Sequence, residues 1–428
     1  MHHDMRLIEI TLVVVAALAG GLGFVRLKQP PILGYILAGI ILGPSGFAYV
    51  ESRDIVETMA ELGVLLLLFV VGMELNLRTF KNAWLQTTLC TVLQIFISLV
   101  VSLGLAPFFG WSLGMSLLLG FVLALSSTAV VVNLLERIGE VRSESGQLAI
   151  GILIAQDLAI VPMILILRNL NNGSIFDPGL IIKLALSVAI IVALISYLSQ
   201  KQRVRIPLTQ IISGEKDLTP LASLGFCFAA AAVSGLIGLS AAYGAFLAGL
   251  VLGNTHERIV LLETTKPIQS TLLMVFFLSI GLLLDLSFIA EHWIMVTVLL
   301  FVITVGKTAI NIGILHILRL PRAQSFLVGV ILSQLGEFAF LLATVGYQSG
   351  IIDDHGQKLI VALTVLSLAF SPLWLASARR LKAHVDSRAL SFTKILAMAF
   401  GPEFSWVQRR IQRKKSMLKE VIVDDEDG

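Results

Sequence analysis

Charge is what this chain has least of: Asp, Glu, Lys and Arg make up only 14% of its 428 residues, while 57% are hydrophobic. With a mean hydropathy of +0.91, that shortage excludes an ordinary soluble domain and points to a polytopic membrane protein. Cysteine is nearly missing as well. Cys90 and Cys227 both fall in apolar segments without ligand spacing and read as small packing residues. His256, His292 and His316 lie at or near loops without ligand spacing, so neither a metal site nor a cofactor is expected. The formal net charge of +3 is too small to suggest a nucleic-acid partner. Gly306-Lys307-Thr308 imitates the end of a phosphate-binding loop, but Phe301 stands where that loop needs glycine. A cleaved leader is not expected either. The first apolar run, 7–25, has no basic start and no small-residue cleavage site, and it ends in Arg26 and Lys28, so it reads as a membrane span.

What is present in quantity is long apolar sequence. Segments of spanning or near-spanning length recur at 7–25, 31–44, 55–73, 84–106, 113–135, 147–167, 180–198, 218–237, 241–253, 268–284, 293–318, 325–347 and 359–378. An all-α fold of about thirteen transmembrane helices follows. Basic residues sit after the odd-numbered spans, as with Arg26 and Lys28, Arg78 and Lys81, Arg137 and Arg142, Lys201 and Arg203, and Arg319 and Arg322. The loops after even-numbered spans are acidic or nearly uncharged, as with Glu51 and Asp54, Asp177, Glu291, and Asp353 and Asp354. The positive-inside rule then puts the N-terminus outside and the C-terminus in the cytoplasm of a cell (inner) membrane.

The halves repeat. Gly34, Leu37, Ala38, Gly39, Leu42 and Gly43 in the second span match Gly244, Leu247, Ala248, Gly249, Leu252 and Gly253 in the ninth. Gly72, Leu75 and Leu77 after the third span match Gly281, Leu284 and Leu286 after the tenth. An odd number of spans separates each pair, so the second copy is inverted. The membrane domain is residues 1–380, with repeat one at about 6–168, a connector helix at about 180–199 and repeat two at about 217–380. Residues 381–428 form a charged cytoplasmic tail that reads as solvated or disordered, with contact of its basic cluster Arg409, Arg410, Arg413, Lys414 and Lys415 to anionic lipid as the alternative.

Against that apolar background the polar residues stand out. Asp157, beside Gln156, lies about midway along the sixth span, where a charge is costly unless paired, hydrated or neutralised. Lys307 lies in the eleventh span and is its expected ion-pair partner. The fifth span carries Ser126, Ser127 and Thr128 in its middle, and the twelfth carries Ser333, Gln334 and Glu337. In an inverted-repeat transporter, equivalent spans are often broken at mid-membrane so that freed backbone groups face an ion. Two interrupted helices crossing beside the sixth span are therefore expected. Glu61 and Glu74, near the ends of the third span, can reach water.

These marks together resemble the monovalent cation:proton antiporter superfamily, in the branch with the Kef-type potassium efflux systems and the NapA-type sodium/proton antiporters. The resemblance covers about residues 6–380 and rests on Leu33-Gly34-Tyr35-Ile36-Leu37-Ala38-Gly39, Gly43-Pro44, Gln156-Asp157, Lys307 and Gly336-Glu337-Phe338. It implies an NhaA/NapA-like fold in which a core moves against a dimerisation domain, as a homodimer. It also implies that Asp157 binds cation and proton with Gln156, Ser127 and Thr128, that Lys307 competes as ion-pair partner, and that Ser126, Ser333, Gln334 and Glu337 form the crossing cluster. Sodium-selective relatives commonly have a second acid where this chain has Gln156, so the Gln-Asp form leans toward potassium, and Gln156→Asp is expected to shift preference toward sodium. Kef-type proteins usually carry a C-terminal nucleotide-binding domain, for which the tail is too short.

One carboxylate suffices for exchange. Burial opposes the anion and a nearby ammonium favours it, so proton and cation can compete for one group. The alternatives are a cation channel or a solute carrier not coupled to protons, but no selectivity-filter motif is visible. An intramembrane aspartyl protease would need a second aspartate facing Asp157, and Asp285 sits at a helix end.

Overall fold

The computed structural model describes residues 2–27, 29–47, 54–75, 77–170, 178–200, 218–237 and 239–382, and within these every regular element is helical. The charged tail beyond residue 382 lies outside the described residues. In chain order the helices are α1 His2–Arg26, α2 Pro31–Leu42, α3 Asp54–Glu74, α4 Leu77–Phe109, α5 Leu113–Ala124, α6 Thr128–Ile138, α7 Glu144–Leu170, α8 Pro178–Gln200 and α9 Leu218–Leu236. They continue as α10 Ala241–Leu252, α11 Arg258–Leu283, α12 Leu286–Glu291, α13 Trp293–Phe301, α14 Lys307–Ile317, α15 Arg322–Ile331, α16 Phe338–Gln348 and α17 Asp354–Lys382. A π-helical turn, Val302–Gly306, joins α13 to α14 immediately before Lys307. Both expected interruptions are present, at 125–127 between α5 and α6 and at 332–337 between α15 and α16.

Local chemistry explains several boundaries. Ser112, Ser127 and Ser240 cap α5, α6 and α10 by accepting the backbone N–H two or three residues into each helix. Gly139 ends α6 with φ of 71°, a left-handed conformation that suits glycine. Asp285 caps α12 through the N–H of Phe288, which is the chief reason its carboxyl is held below the usual carboxylate range.

The helices sort into two bodies. In one, α11 packs on α2 and α3, α10 packs on α3 and α9, and α1 packs on α2. In the other, α4 packs on α5, α7 and α14, while α15 and α16 pack on α7 and α17 packs on α15 and α16. The connector α8 touches α4 and α7 and accepts, at Ser187 O, the hydroxyl of Tyr243 on α10. Its amphipathicity is that of a membrane bundle. Along α4 the residues Thr87, Thr91, Gln94, Ser98 and Ser102 are buried, whereas Leu85, Leu89, Val92, Phe96 and Val100 are exposed.

The glycines matched between the halves meet crosswise. A Cβ added at Gly39 would lie 2.1 Å from Leu278 O and 2.8 Å from the Gly281 Cα, so the second-span motif of copy one packs on the tenth-span motif of copy two. A Cβ at Gly249 would lie 1.9 Å from Phe69 O, and one at Gly72 would lie 2.5 Å from Phe246 O, the same seam with the copies exchanged. Only glycine permits backbone to approach backbone this closely.

Gly249→Val is therefore expected to lower the melting temperature of the detergent-purified chain, with a cost of about 1–3 kcal/mol or more from overpacking. Gly39→Val should do the same. Gly104→Ala on α4, with nothing within 4 Å of the added carbon, should be neutral or stabilising by about 0.5–1 kcal/mol. Equal melting temperatures for all three would contradict the crosswise seam.

Candidate functional site

Each broken helix has two ends of opposite character. The half-helices that arrive at a break, α5 and α15, bring carbonyls without intrahelical donors, and the half-helices that leave, α6 and α16, bring unpaired N–H groups and the positive end of a dipole. The two breaks touch directly. A Cβ at Gly336 would lie 2.7 Å from Ser126 O, and the Ser126 hydroxyl donates to Leu332 O at 2.8 Å.

The charges sort by these ends. Lys307, 4% exposed, donates from Nζ to Leu125 O and, at 3.1 Å, to Gln334 O, one carbonyl from each break. Asp157, 3% exposed, takes the Thr128 hydroxyl at 3.3 Å, and Thr128 is the first residue of α6. Glu337 takes the Ser127 hydroxyl on Oε2 at 3.0 Å. Adjacent residues at the start of one half-helix thus hold two carboxylates from two other elements.

The expected Asp157–Lys307 ion pair is not made: none of the ion pairs among the described residues joins them. The physical reason is the pair of carbonyls at the breaks. They satisfy the ammonium through two charge-assisted bonds at the negative ends of α5 and α15, while the carboxylate lies at the positive end of α6.

Gln156 also has a different task from the one expected of an ion ligand. Its Oε1 accepts the Ser126 N–H at 2.9 Å and its Nε2 donates to Gln94 Oε1 at 2.9 Å. Gln94 Nε2 in turn donates to Asn311 Oδ1 at 2.9 Å, and Asn311 Nδ2 donates to Leu332 O at 3.3 Å. One unbroken amide chain therefore runs from the first break through α7, α4 and α14 to the second. Sequence reading passed over Gln94 and Asn311, as it did Ser367, whose hydroxyl accepts the Leu335 N–H at 3.1 Å. The signal was there in the polar stripe of α4 and in Asn311, one helical turn beyond Lys307. Ser333 uses its hydroxyl locally, on Val330 O at 2.8 Å.

A cavity of about 400 Å³ lies between the two bodies. Glu61 and Val64 of α3 and Phe276 of α11 face Arg168 of α7, Gln348 of α16 and Asp354 of α17 across it. At its exposed mouth Gln348 Nε2 donates to Glu61 Oε1 at 3.1 Å, and Asp354 pairs with Lys358 at 2.8 Å. Phe276 and Phe277 of α11 set their rings edge-on to Phe340 of α16, with centroids 6.4 and 6.2 Å apart. Glu74 pairs with Lys266 at 2.6 Å, so neither Glu61 nor Glu74 lies loose.

Comparison with known proteins identifies a family. The family described as "Sodium/hydrogen exchanger, transmembrane" matches residues 12–378. The chain is 44% identical to "Iron transporter MagA" of Paramagnetospirillum magneticum over 98% of this chain and 96% of that one. It is 34% identical to "K(+) efflux antiporter 5" of Arabidopsis thaliana over 86% of its length, spanning 66% of the plant protein, just under two thirds. It is 28% identical to "Putative cation/proton antiporter YbaL" of Escherichia coli over 90% of its length and 71% of that protein. Among solved structures, the sodium proton antiporter MjNhaP1 of Methanocaldococcus jannaschii covers 89% of this chain, and is itself covered completely (100%), with a TM-score of 0.66 at 18% identity, a likeness of fold. Five described helices are long and apolar enough to cross a membrane by themselves. The chain is thus a multi-pass membrane protein that belongs to the transmembrane sodium/hydrogen exchanger family, within the cation:proton antiporter superfamily and with Kef-type potassium efflux antiporters among its relatives.

Proposed function

We propose that this chain is a secondary active antiporter that exchanges a monovalent cation, potassium in preference to sodium, for a proton, with Asp157 as the shared site. The observation that carries this reading is the placement of Asp157, buried at the N-terminal end of α6 with the Thr128 hydroxyl as its described hydrogen-bond donor. A buried carboxylate so lightly bonded needs either a proton or a cation, and it cannot hold both. Exclusive occupancy is what couples the two flows. The body containing α4 to α7 and α13 to α17 would carry the ion past the body of α1 to α3 and α9 to α11, and the cavity between them is one access route. The alternation of basic loops supports an N-terminus outside and a C-terminus in the cytoplasm of the cell membrane, which makes the Glu61–Asp354 mouth external. The family resemblance supports a homodimer.

The relative named as an iron transporter favours a second reading, in which the cation is ferrous iron. The donor set argues for the alkali ion. Carboxylate, hydroxyl, amide and backbone carbonyl oxygens line the crossing, and neither cysteine lies there, since Cys90 and Cys227 are buried in apolar clusters. Among the described residues no group of three or more His, Cys, Asp or Glu could hold a metal ion.

Asp157→Asn keeps the shape of the side chain and should abolish potassium-dependent proton movement in proteoliposomes while the protein still purifies as a folded species. Persistent exchange in this variant would reject the assignment. Gln156→Asp is expected to lower the melting temperature and transport together, because aspartate is one methylene too short to span Ser126 N and Gln94. A clean switch of preference to sodium at wild-type stability would instead make residue 156 an ion ligand. Lys307→Met should destabilise the fold by about 1.5–3 kcal/mol for each charge-assisted bond removed, and melting curves in detergent would measure this.

A further inference from the structure

Gln334 is the one glutamine of the crossing whose side chain is left over. It is 3% exposed, yet neither Oε1 nor Nε2 has a partner among the described residues. Gln94 and Gln156, buried at the same crossing, have both ends of their amides engaged. This fold can therefore satisfy a buried amide where stability is the only demand. The backbone around Gln334 is fixed on every side: its own carbonyl takes the Lys307 ammonium, Leu335 N donates to Ser367, and Leu332 O accepts from Ser126 and Asn311. Burying a polar group without a partner is unfavourable, and such groups in native proteins call for an explanation.

We propose that the side-chain oxygen of Gln334 is a ligand of the transported cation and a determinant of which alkali ion is preferred. The inference rests on the reading of Asp157 as the transport site and adds a residue from the second broken helix to it. A neutral amide oxygen suits a weakly hydrated monovalent ion, as backbone carbonyls do in potassium-selective pores. On this proposal Asp157 supplies the charge and Thr128 a hydroxyl, and Gln334 replaces part of the ion's hydration shell.

The test uses the full chain in proteoliposomes with potassium, rubidium and sodium as probes, comparing wild type with Gln334→Met, which keeps side-chain volume and removes the amide. The expected result is a KM for potassium raised roughly tenfold, a smaller change in kcat, a flattened order among the three ions and a melting temperature equal to or above wild type. Loss of the potassium-induced rise in melting temperature should accompany it. Unchanged KM values and ion order would overturn the assignment. A fall in the melting temperature of the ion-free variant, or failure to fold, would also overturn it, since the amide would then be a structural element. Asp157→Asn measured in parallel separates the two readings. If that variant still exchanges, the site itself is misassigned; if it is inactive while Gln334→Met behaves as wild type, only the role of Gln334 fails.

Discussion

The constraint on which this structure depends is the need to keep charges inside a membrane without cancelling them against each other. A lysine and two carboxylates are buried at one crossing, and a direct salt bridge would neutralise them while removing the carboxylate from use. The fold instead divides them between opposite ends of broken helices. The ammonium is held by carbonyls where α5 and α15 stop, and the carboxylates are held by Thr128 and Ser127 where α6 starts. Peptide dipoles thus serve as counter-charges fixed in the backbone.

The second requirement is that both breaks remain in register, since neither has intrahelical bonds of its own to hold it. The amide chain of Gln156, Gln94 and Asn311 ties them through three intact helices. The π-helical turn before Lys307 belongs to the same task. It admits one extra residue per turn at the position where the lysine must face both sets of carbonyls, and such turns are often found at functional sites.

Much of this was legible in the sequence. The all-helical class followed from apolar length, the crosswise packing of Gly39 and Gly249 was prefigured by their matched motifs, and the two interruptions followed from polar clusters in helices otherwise apolar. The breaks fell where serine and threonine compete with the backbone for hydrogen bonds. What pattern could not give was pairing. Attraction between Asp157 and Lys307 is the obvious use of two opposite charges, but main-chain carbonyls have no signature in side-chain sequence, and they compete for the ammonium. Gln156 was legible as important and illegible as a brace, because its partners Ser126 and Gln94 lie 30 and 62 residues away along the chain. The polar stripe of α4 escaped for a related reason: threonine and serine are common in membrane helices, and only burial separates those facing the bundle from those facing lipid.

The crosswise glycine seams have a consequence for energetics. Because Gly39 meets Gly281 while Gly249 and Gly72 meet the matching stretch of the other copy, the body of α1 to α3 and α9 to α11 is closed by two seams of the same kind. Under the exchange proposed for this chain, a partner body sliding along such a surface would meet similar steric terrain toward either side, so the two end positions would be close to degenerate. Small ligand-dependent differences, of the size a single ion or proton can supply, would then be enough to tip the balance.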